Sequence, residues 1–192
     1  MNNDEALMLE FQRGSREAFE DLYSRYSGPL YGFFRRRLDS PQRAEDLTQE
    51  VFLGVIRGAS RYEPRALVRT YFYGIALKLL AAERRKLLRD APAGDQAVEP
   101  SSPGTQESWL WVREAMAKLD PSEREILMLR EYEQLSYAEI ADLLRMPVNT
   151  VRSRLFRARI ALKNHLAPNR STWAQSTGSR GGTPTPSAES EG

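Results

Sequence analysis

The sequence predicts an all-α protein: two small helical domains joined by a flexible linker, the second a four-helix domain with a helix-turn-helix. Three observations carry that prediction. Apolar residues recur every three or four positions through almost all of residues 4–89, which is the period of a helix. Residues 90–107, DAPAGDQAVEPSSPGTQE, hold three prolines, two glycines, four acids and no base, the composition of a linker. Residues 108–167 carry two successive helix-start signatures, then a short helix, a turn and a basic helix.

In the first half, residues 4–12 form a short helix closed by Gly14. Ser15 caps the next, with Ala18, Phe19, Leu22, Tyr23 and Tyr26 at helical spacing. Pro29 is expected to kink or break it. Leu30, Phe33, Phe34 and Leu38 continue the pattern into the basic run Arg35, Arg36, Arg37. Ser40 before Pro41 starts a third helix, to about residue 57. Leu47, Val51 and Val55 form one apolar stripe of it. Phe52, Leu53 and Ile56 lie around the other side, among Glu45, Asp46, Gln49 and Glu50. A helix apolar on two sides is either deeply buried or meets a partner. Burying that many carboxylates is costly, which favours the partner.

A loop over 58–68 contains Pro64. The helix over 69–89 takes Phe72, Ile75, Ala76 and Leu79 as its core stripe. Tyr71, Lys78 and Arg85 recur seven apart on a different stripe, beside Gly74 and Ala81. Such a stripe stacks bases and neutralises phosphates, or it is a solvated basic face with a half-buried tyrosine. The residues leave both readings open.

In the second half, 109–119 reads as one helix. Asp120, Pro121 and Glu123 then supply a cap residue, a proline at the first helical position and an acid at the third. The helix that follows carries Ile126, Leu127, Leu129 and Arg130. Ser136 and Glu139 make a second capping box, with Ala138, Ile140, Ala141, Leu143 and Leu144 as the packing face behind it. Arg145 and Met146 form the turn, and Pro147 suits the first turn of the last helix. There Val148, Val151, Leu155, Ala158 and Leu162 face the core, while Asn149, Ser153 and Arg157 project from the other side with Thr150 beside them. Arg152 and Arg159 flank one edge and Arg154 the other. With Lys163 that makes five cations and no acid, the pattern of a helix that enters the DNA major groove. Residues 123–142 hold six acids against Arg124 and Arg130, so the domain is polarised, and its acidic side, repelled by DNA, is available to a protein partner. From Ala167 the composition becomes small and polar, and 168–192 reads as a disordered tail with a lone Trp173.

The bulk composition excludes more than it identifies. Formal net charge is only +2, so charge is segregated rather than large. There is no cysteine, which rules out disulfides and thiolate chemistry. His165 is the only histidine, so no multi-histidine metal site exists. No cofactor or metal is expected. No apolar run has the length of a membrane span, and the start MNNDEALMLE lacks a signal-peptide layout. These features suggest a soluble, cytoplasmic protein without membrane insertion.

The segments AFEDLYSRYSGPLYGFFRRRL, RAEDLTQEVFLGVIRGASRYEP, YFYGIALKLLAAERRK and LDPSEREILMLREYEQLSYAEIADLLRMPVNTVRSRLFRARIAL together resemble the bacterial extracytoplasmic-function sigma factors of RNA polymerase. They cover most of residues 6–166 in the family's order. The resemblance implies a non-enzymatic subunit that binds core RNA polymerase and directs promoter-specific initiation. It divides the chain into a region-2-like domain (1–89), the linker (90–107), a region-4-like domain (108–167) and the tail (168–192). It assigns polymerase binding to Asp46, Gln49, Glu50, Val51, Phe52 and Leu53. It assigns recognition and melting of a single-stranded −10 element to Tyr62, Arg69, Tyr71, Lys78, Arg84 and Arg85. The helix-turn-helix at 136–156 then reads duplex −35 DNA through Asn149, Thr150, Arg152, Ser153, Arg154, Arg157 and Arg159. An anti-sigma factor is a further implied partner. Tyr71 stands where the family commonly has tryptophan, Lys78 where asparagine is frequent, and Arg145 where a turn glycine is common, a position that calls for positive φ.

Two other functions compete with this one. A stand-alone helix-turn-helix regulator would bind an operator as a dimer, but it has no use for a two-faced third helix and needs a dimerisation helix that the sequence does not show. A metal-dependent nuclease would use Glu45, Asp46 and Glu50 around Mg²⁺, but has no second set of acids to complete it.

Overall fold

Side chains that cap their own helices start four of the helices. The computed structural model describes the backbone of residues 4–64, 67–90 and 106–176, and the side chains of 4–64, 67–89 and 110–167. Helix α1 is Asp4–Gln12 and stops at Gly14, whose φ is +100°. Ser15 Oγ then accepts the Ala18 N–H at 3.1 Å and opens α2, Arg16–Arg35. Helix α3, Pro41–Gly58, starts the same way, with Ser40 Oγ accepting the Arg43 N–H at 3.1 Å. A 3-10 turn, Ala59–Arg61, leads toward α4, Val68–Asp90. At the start of α4, Glu5 of α1 accepts the Val68 N–H at 3.2 Å. Gln12 ties the same loop down by donating to the Tyr62 carbonyl at 2.8 Å and to the Ala59 carbonyl.

The remaining helices are α5, Gln106–Ala117; α6, Pro121–Glu131; α7, Tyr137–Leu144; and α8, Val148–Ser176. Asp120 accepts the Ser122 and Glu123 N–H groups at 2.9 and 3.2 Å to start α6. The capping box of α7 is complete: Ser136 N–H donates to Glu139 at 2.7 Å and Glu139 N–H to Ser136 Oγ at 3.2 Å. No strand occurs among the described residues. The chain forms two compact units. One holds α1 to α4 together with α7 and its flanks, Met128–Arg152; the other takes in α5, the start of α6 and α8 from Ser153 onward.

The first unit is built on stacked aromatics. Tyr26 lies on Phe72 at 4.5 Å between ring centroids, and Phe52 meets Tyr23 at 4.6 Å and Phe72 at 5.6 Å. Leu22, Leu30, Phe33, Phe34, Leu47, Val51, Val55, Phe72 and Leu80 are fully buried around them. Each such side chain is worth roughly 1.5–3 kcal/mol of transfer from water. The buried residues of the second unit include Ala115, Leu119, Ile126, Leu155 and Ala158.

Several expectations change. Pro29 does not break α2, which runs through it. The proline is exposed, so water can take the carbonyl that loses its N–H, and the stripe Leu22, Tyr26, Leu30, Phe33 holds both halves on one core. The core stripe of α4 is Val68, Phe72, Tyr73, Ala76 and Leu80, while Ile75 and Leu79 are only half-buried. Phe52 turns inward at 4 % exposure instead of joining an outer face, because Phe19, Tyr23 and Phe72 surround it. Ala138 is exposed and adds nothing to the packing of α7. Helix α8 continues to Ser176, into the stretch whose composition reads as a tail. Most of the linker at 90–107 and the tail from 177 lie outside the described residues.

Candidate nucleic-acid interface

The start of α4 and the turn before it bring two of the predicted aromatics together. Tyr62 and Tyr71 lie 5.3 Å apart between ring centroids. Tyr62 is 6 % exposed, and burial followed by the nearby Glu5 charge pushes its hydroxyl up to about 12. Tyr71 is half-buried and its hydroxyl also rises, through burial. That hydroxyl occupies the space over Gly58, where an added Cβ would run into it. The other residues of the set are dispersed. Lys78, Arg84 and Arg85 are exposed further along α4. Arg69 is half-buried and donates to the Glu133 carbonyl. The structure therefore places an aromatic pair at one end of α4 and cations along it, with Arg69 already engaged.

Helix α3 presents a narrower outer face than its sequence suggests. Val51 and Phe52 are buried, whereas Gln49, Leu53 and Ile56 are exposed, Leu53 at 50 %. Asp46 and Glu50 are half-exposed beside Arg43, at 3.7 and 3.5 Å. Arg43 also grips the buried Glu83 of α4 through Nε at 2.8 Å and Nη2 at 2.7 Å. Those bonds hold the Glu83 carboxyl below its usual range and keep Arg43 more firmly protonated. The outer face of α3 is thus a leucine and an isoleucine bordered by acids, backed by a fixed bidentate ion pair.

At α8 the geometry begins with the turn. Arg145 caps α7 in the left-handed region at φ +52°, ψ +50°, and its N–H returns to the Ala141 and Asp142 carbonyls. The Pro147 carbonyl then accepts the Thr150 and Val151 N–H groups at 2.9 and 3.2 Å. Asn149, Arg152, Ser153, Arg157 and Arg159 are exposed; Thr150 and Arg154 are half-buried. Asn149 Oδ1 accepts from Arg152 at 3.4 Å. Arg157 Nε donates to Glu123 at 2.7 Å, a surface pair on a guanidinium 60 % exposed. Asp120, beside the same face, is held below its ordinary carboxylate range by the Ser122 hydroxyl and the α6 N–H groups, helped by the Arg154 charge.

Sequence reasoning missed Phe156 and Ile160, which are 66 % and 44 % exposed on this outer face. The signal was present: Asn149, Ser153, Phe156 and Ile160 follow one another at spacings of four, three and four. An exposed ring among arginines suits the methyl group of thymine in a major groove. Tyr73 and Glu133 were missed as well, and nothing local announces them. Among the described residues no three metal-ligating side chains cluster, and no helix is long and apolar enough to cross a membrane.

Comparison with known proteins covers both halves of the chain. The family model described as Sigma-70 region 2 matches residues 22–89, and the one described as Sigma-70, region 4 matches residues 109–162. RNA polymerase sigma-H factor of Pseudomonas aeruginosa is 34% identical over 182 residues, covering 86% of this chain and 94% of the relative. ECF RNA polymerase sigma-E factor of Escherichia coli K12 is 31% identical over 182 residues, covering 86% and 95%. Among solved structures, CnrH in complex with the cytosolic domain of CnrY superposes with a TM-score of 0.70 at 23% identity, over 87% of this chain and 99% of that one. Sigma factor RpoE of Bartonella quintana, solved with the anti-sigma factor NepR, gives a TM-score of 0.62 at 21% identity, over 78% and 96%. These two show a shared fold.

Proposed function

The chain belongs to the extracytoplasmic-function sigma factors, initiation factors that join core RNA polymerase and direct promoter-specific transcription, and from that premise we propose how its surfaces divide the work. Core polymerase binds the exposed edge of α3 through Asp46, Gln49, Glu50 and Leu53, joined by Ile56, while Val51 and Phe52 hold that edge from behind. Tyr62 and Tyr71, with Arg69, Lys78, Arg84 and Arg85 as the cationic border, take the unpaired −10 strand. Base stacking on aromatics beside phosphate-neutralising cations is the physical basis for that step. The outer face of α8 reads duplex −35 DNA, with Asn149, Thr150 and Ser153 at base edges, Arg152, Arg154, Arg157 and Arg159 on bases and phosphates, and Phe156 beside them.

The observation that supports this division best is the outer face of α8. It carries small polar residues at its N-terminal end and arginines along its length, and the left-handed turn at Arg145 sets its direction. The functional domains are then 1–89 and 108–167, joined by 90–107. The protein works in the cytoplasm, where its polymerase is, without catalysis and without a cofactor or metal of its own. The RpoE neighbour was solved with an anti-sigma factor, and a protein inhibitor of that class is the partner we assign here.

The test is reconstitution. Core polymerase plus this chain, given fragmented genomic DNA, should produce transcripts whose sequenced 5′ ends share two upstream motifs at constant spacing. Tight binding of the free protein to a palindromic duplex, with no polymerase-dependent transcripts, would instead establish a stand-alone regulator.

A further inference from the structure

Glu133 is the most deeply buried acid among the described residues, at 3 % exposure. It sits in the turn between α6 and α7, beside Gln134 at φ +56°. Arg36 donates to both of its carboxylate oxygens at 3.0 Å. Arg37, its side chain only 1% exposed, donates to Oε1 at 3.1 Å, and the Tyr73 hydroxyl donates to Oε2 at 3.2 Å. The Glu133 backbone carbonyl accepts from Arg69. Arg36 lies over the Tyr132 ring at 5.0 Å and Arg37 over Phe33 at 3.8 Å. All of these residues belong to one compact unit.

A carboxylate is buried only where paired charge and hydrogen bonds replace its water. Here two arginines from the end of α2 and a tyrosine from α4 do so, and nothing in the segment that carries Glu133 contributes a donor to its carboxylate in this set. The attachment is continued by α7. Arg69 Nη1 stands 4.0 Å from Glu139 Oε1. Leu143 packs over Gly74, where an added Cβ would sit 3.7 Å from its Cδ1. Arg69, Tyr73 and Gly74 all lie on α4, the helix assigned above to the −10 strand.

We propose that Glu133 is an autoinhibitory latch. Its carboxylate holds the first helix of the helix-turn-helix against α4, so that Arg69 is spent on a protein carbonyl and part of the strand-binding helix is covered. Opening the latch returns Arg36, Arg37 and Arg69 to solvent and to phosphate. The conformational part of this proposal stands on the contacts alone; the inhibitory part rests on the assignment of α4 to the −10 strand.

The test uses the full chain. Because it has no cysteine, spin labels attach only at engineered sites, and Ser24→Cys with Asp142→Cys places them on the exposed sides of α2 and α7. Pulsed dipolar spectroscopy should give one narrow distance in this parent. Glu133→Gln, and separately Arg36→Ala, should broaden it toward longer distances while circular dichroism keeps its helical signal. Glu133→Gln should bind fluorescein-labelled oligo(dT) about tenfold more tightly, as expected when a competent state is uncovered, and Arg36→Ala should also bind more tightly but by less, because it removes one of the released cations. Arg36 is partly exposed and leaves the Arg37 pair intact, so it reports even if Glu133→Gln fails to fold. A broad distribution in the parent, or an unchanged one in both variants, overturns the latch. Longer distances without tighter oligo(dT) binding overturn the inhibitory role and the −10 assignment of α4 with it.

Discussion

Helix α3 and helix α8 both carry side chains assigned to partners, yet they divide their circumference in opposite ways. On α3, six residues from Ala44 to Val55 are buried, and two of the side chains first assigned to polymerase, Val51 and Phe52, are among them. Asp46 and Glu50 are also engaged with Arg43, which in turn holds Glu83. Among the described residues of α8, Val151, Leu155 and Ala158 are buried, while Arg152, Arg157 and Arg159 are exposed and Arg154 is half-buried. The lesson is that a substitution on the buried face of either helix changes folding, whereas one at an exposed position of α3 or α8 tests the partner proposed for that face.

The sharpest way to test that contrast is inside α3 itself. Phe52→Ala removes a ring packed on Tyr23 and Phe72, and should cost about 3–5 kcal/mol of stability. Leu53→Ala with Ile56→Ala, each one residue after a buried position and both on the outer side, should leave the thermal midpoint nearly unchanged and weaken polymerase binding by about tenfold. If the double variant unfolds as Phe52→Ala does, the outer edge is part of the core and the contrast fails.

On α8 the expected cost is in DNA. Arg157→Ala with Ser153→Ala should lose about 1–3 kcal/mol of −35 discrimination, read from transcription on promoters with and without the element. Polymerase affinity should hold. Stability should hold as well, because the Arg157–Glu123 pair is on the surface and such pairs are worth roughly 0–1 kcal/mol.

A smaller effect belongs to the tie between α3 and α4. Arg43 lowers the Glu83 carboxyl from its ordinary 4.5, so the folded state binds a proton less readily than the unfolded chain. The stabilisation is therefore complete above about pH 4.5 and is lost as the pH falls through the lower folded value. Glu83→Gln should cost about 1 kcal/mol near neutral pH, and the difference from the parent should shrink in acid. Denaturant midpoints at several pH values read this directly; a difference that grows in acid would show that Arg43 is not the cause.

The smallest change concerns the turn that aims α8. Arg145 holds φ +52°, a conformation that costs an ordinary residue roughly 1–2 kcal/mol and glycine much less, against a loss in unfolded-chain entropy. Arg145→Gly should raise stability by about 0.5–1 kcal/mol, measured by urea unfolding. Loss of stability would mean that the arginine side chain itself supports the turn.

Much of this protein is legible in its sequence because the signals are local. Ser15, Ser40, Asp120 and the Ser136–Glu139 box each bond a residue two or three positions away, and the positive φ at Arg145 falls where the resemblance led to the expectation of one. The exposed face of α8 was readable in part: Asn149, Ser153 and Arg157 follow from its helical period, whereas Phe156 and Ile160, also exposed there, were missed because large apolar residues read as core. What the tertiary structure decided depends on distant partners. The direction of Phe52 was settled by rings on α2 and α4, and the start of α4 by Glu5, 63 residues away. Glu133 meets Arg36 across 97 residues. A charge run and a glutamate look like solvated surface in sequence, and only folding can bring one beneath the other. Helical period and capping are fixed by neighbours along the chain, while burial is fixed by neighbours in space.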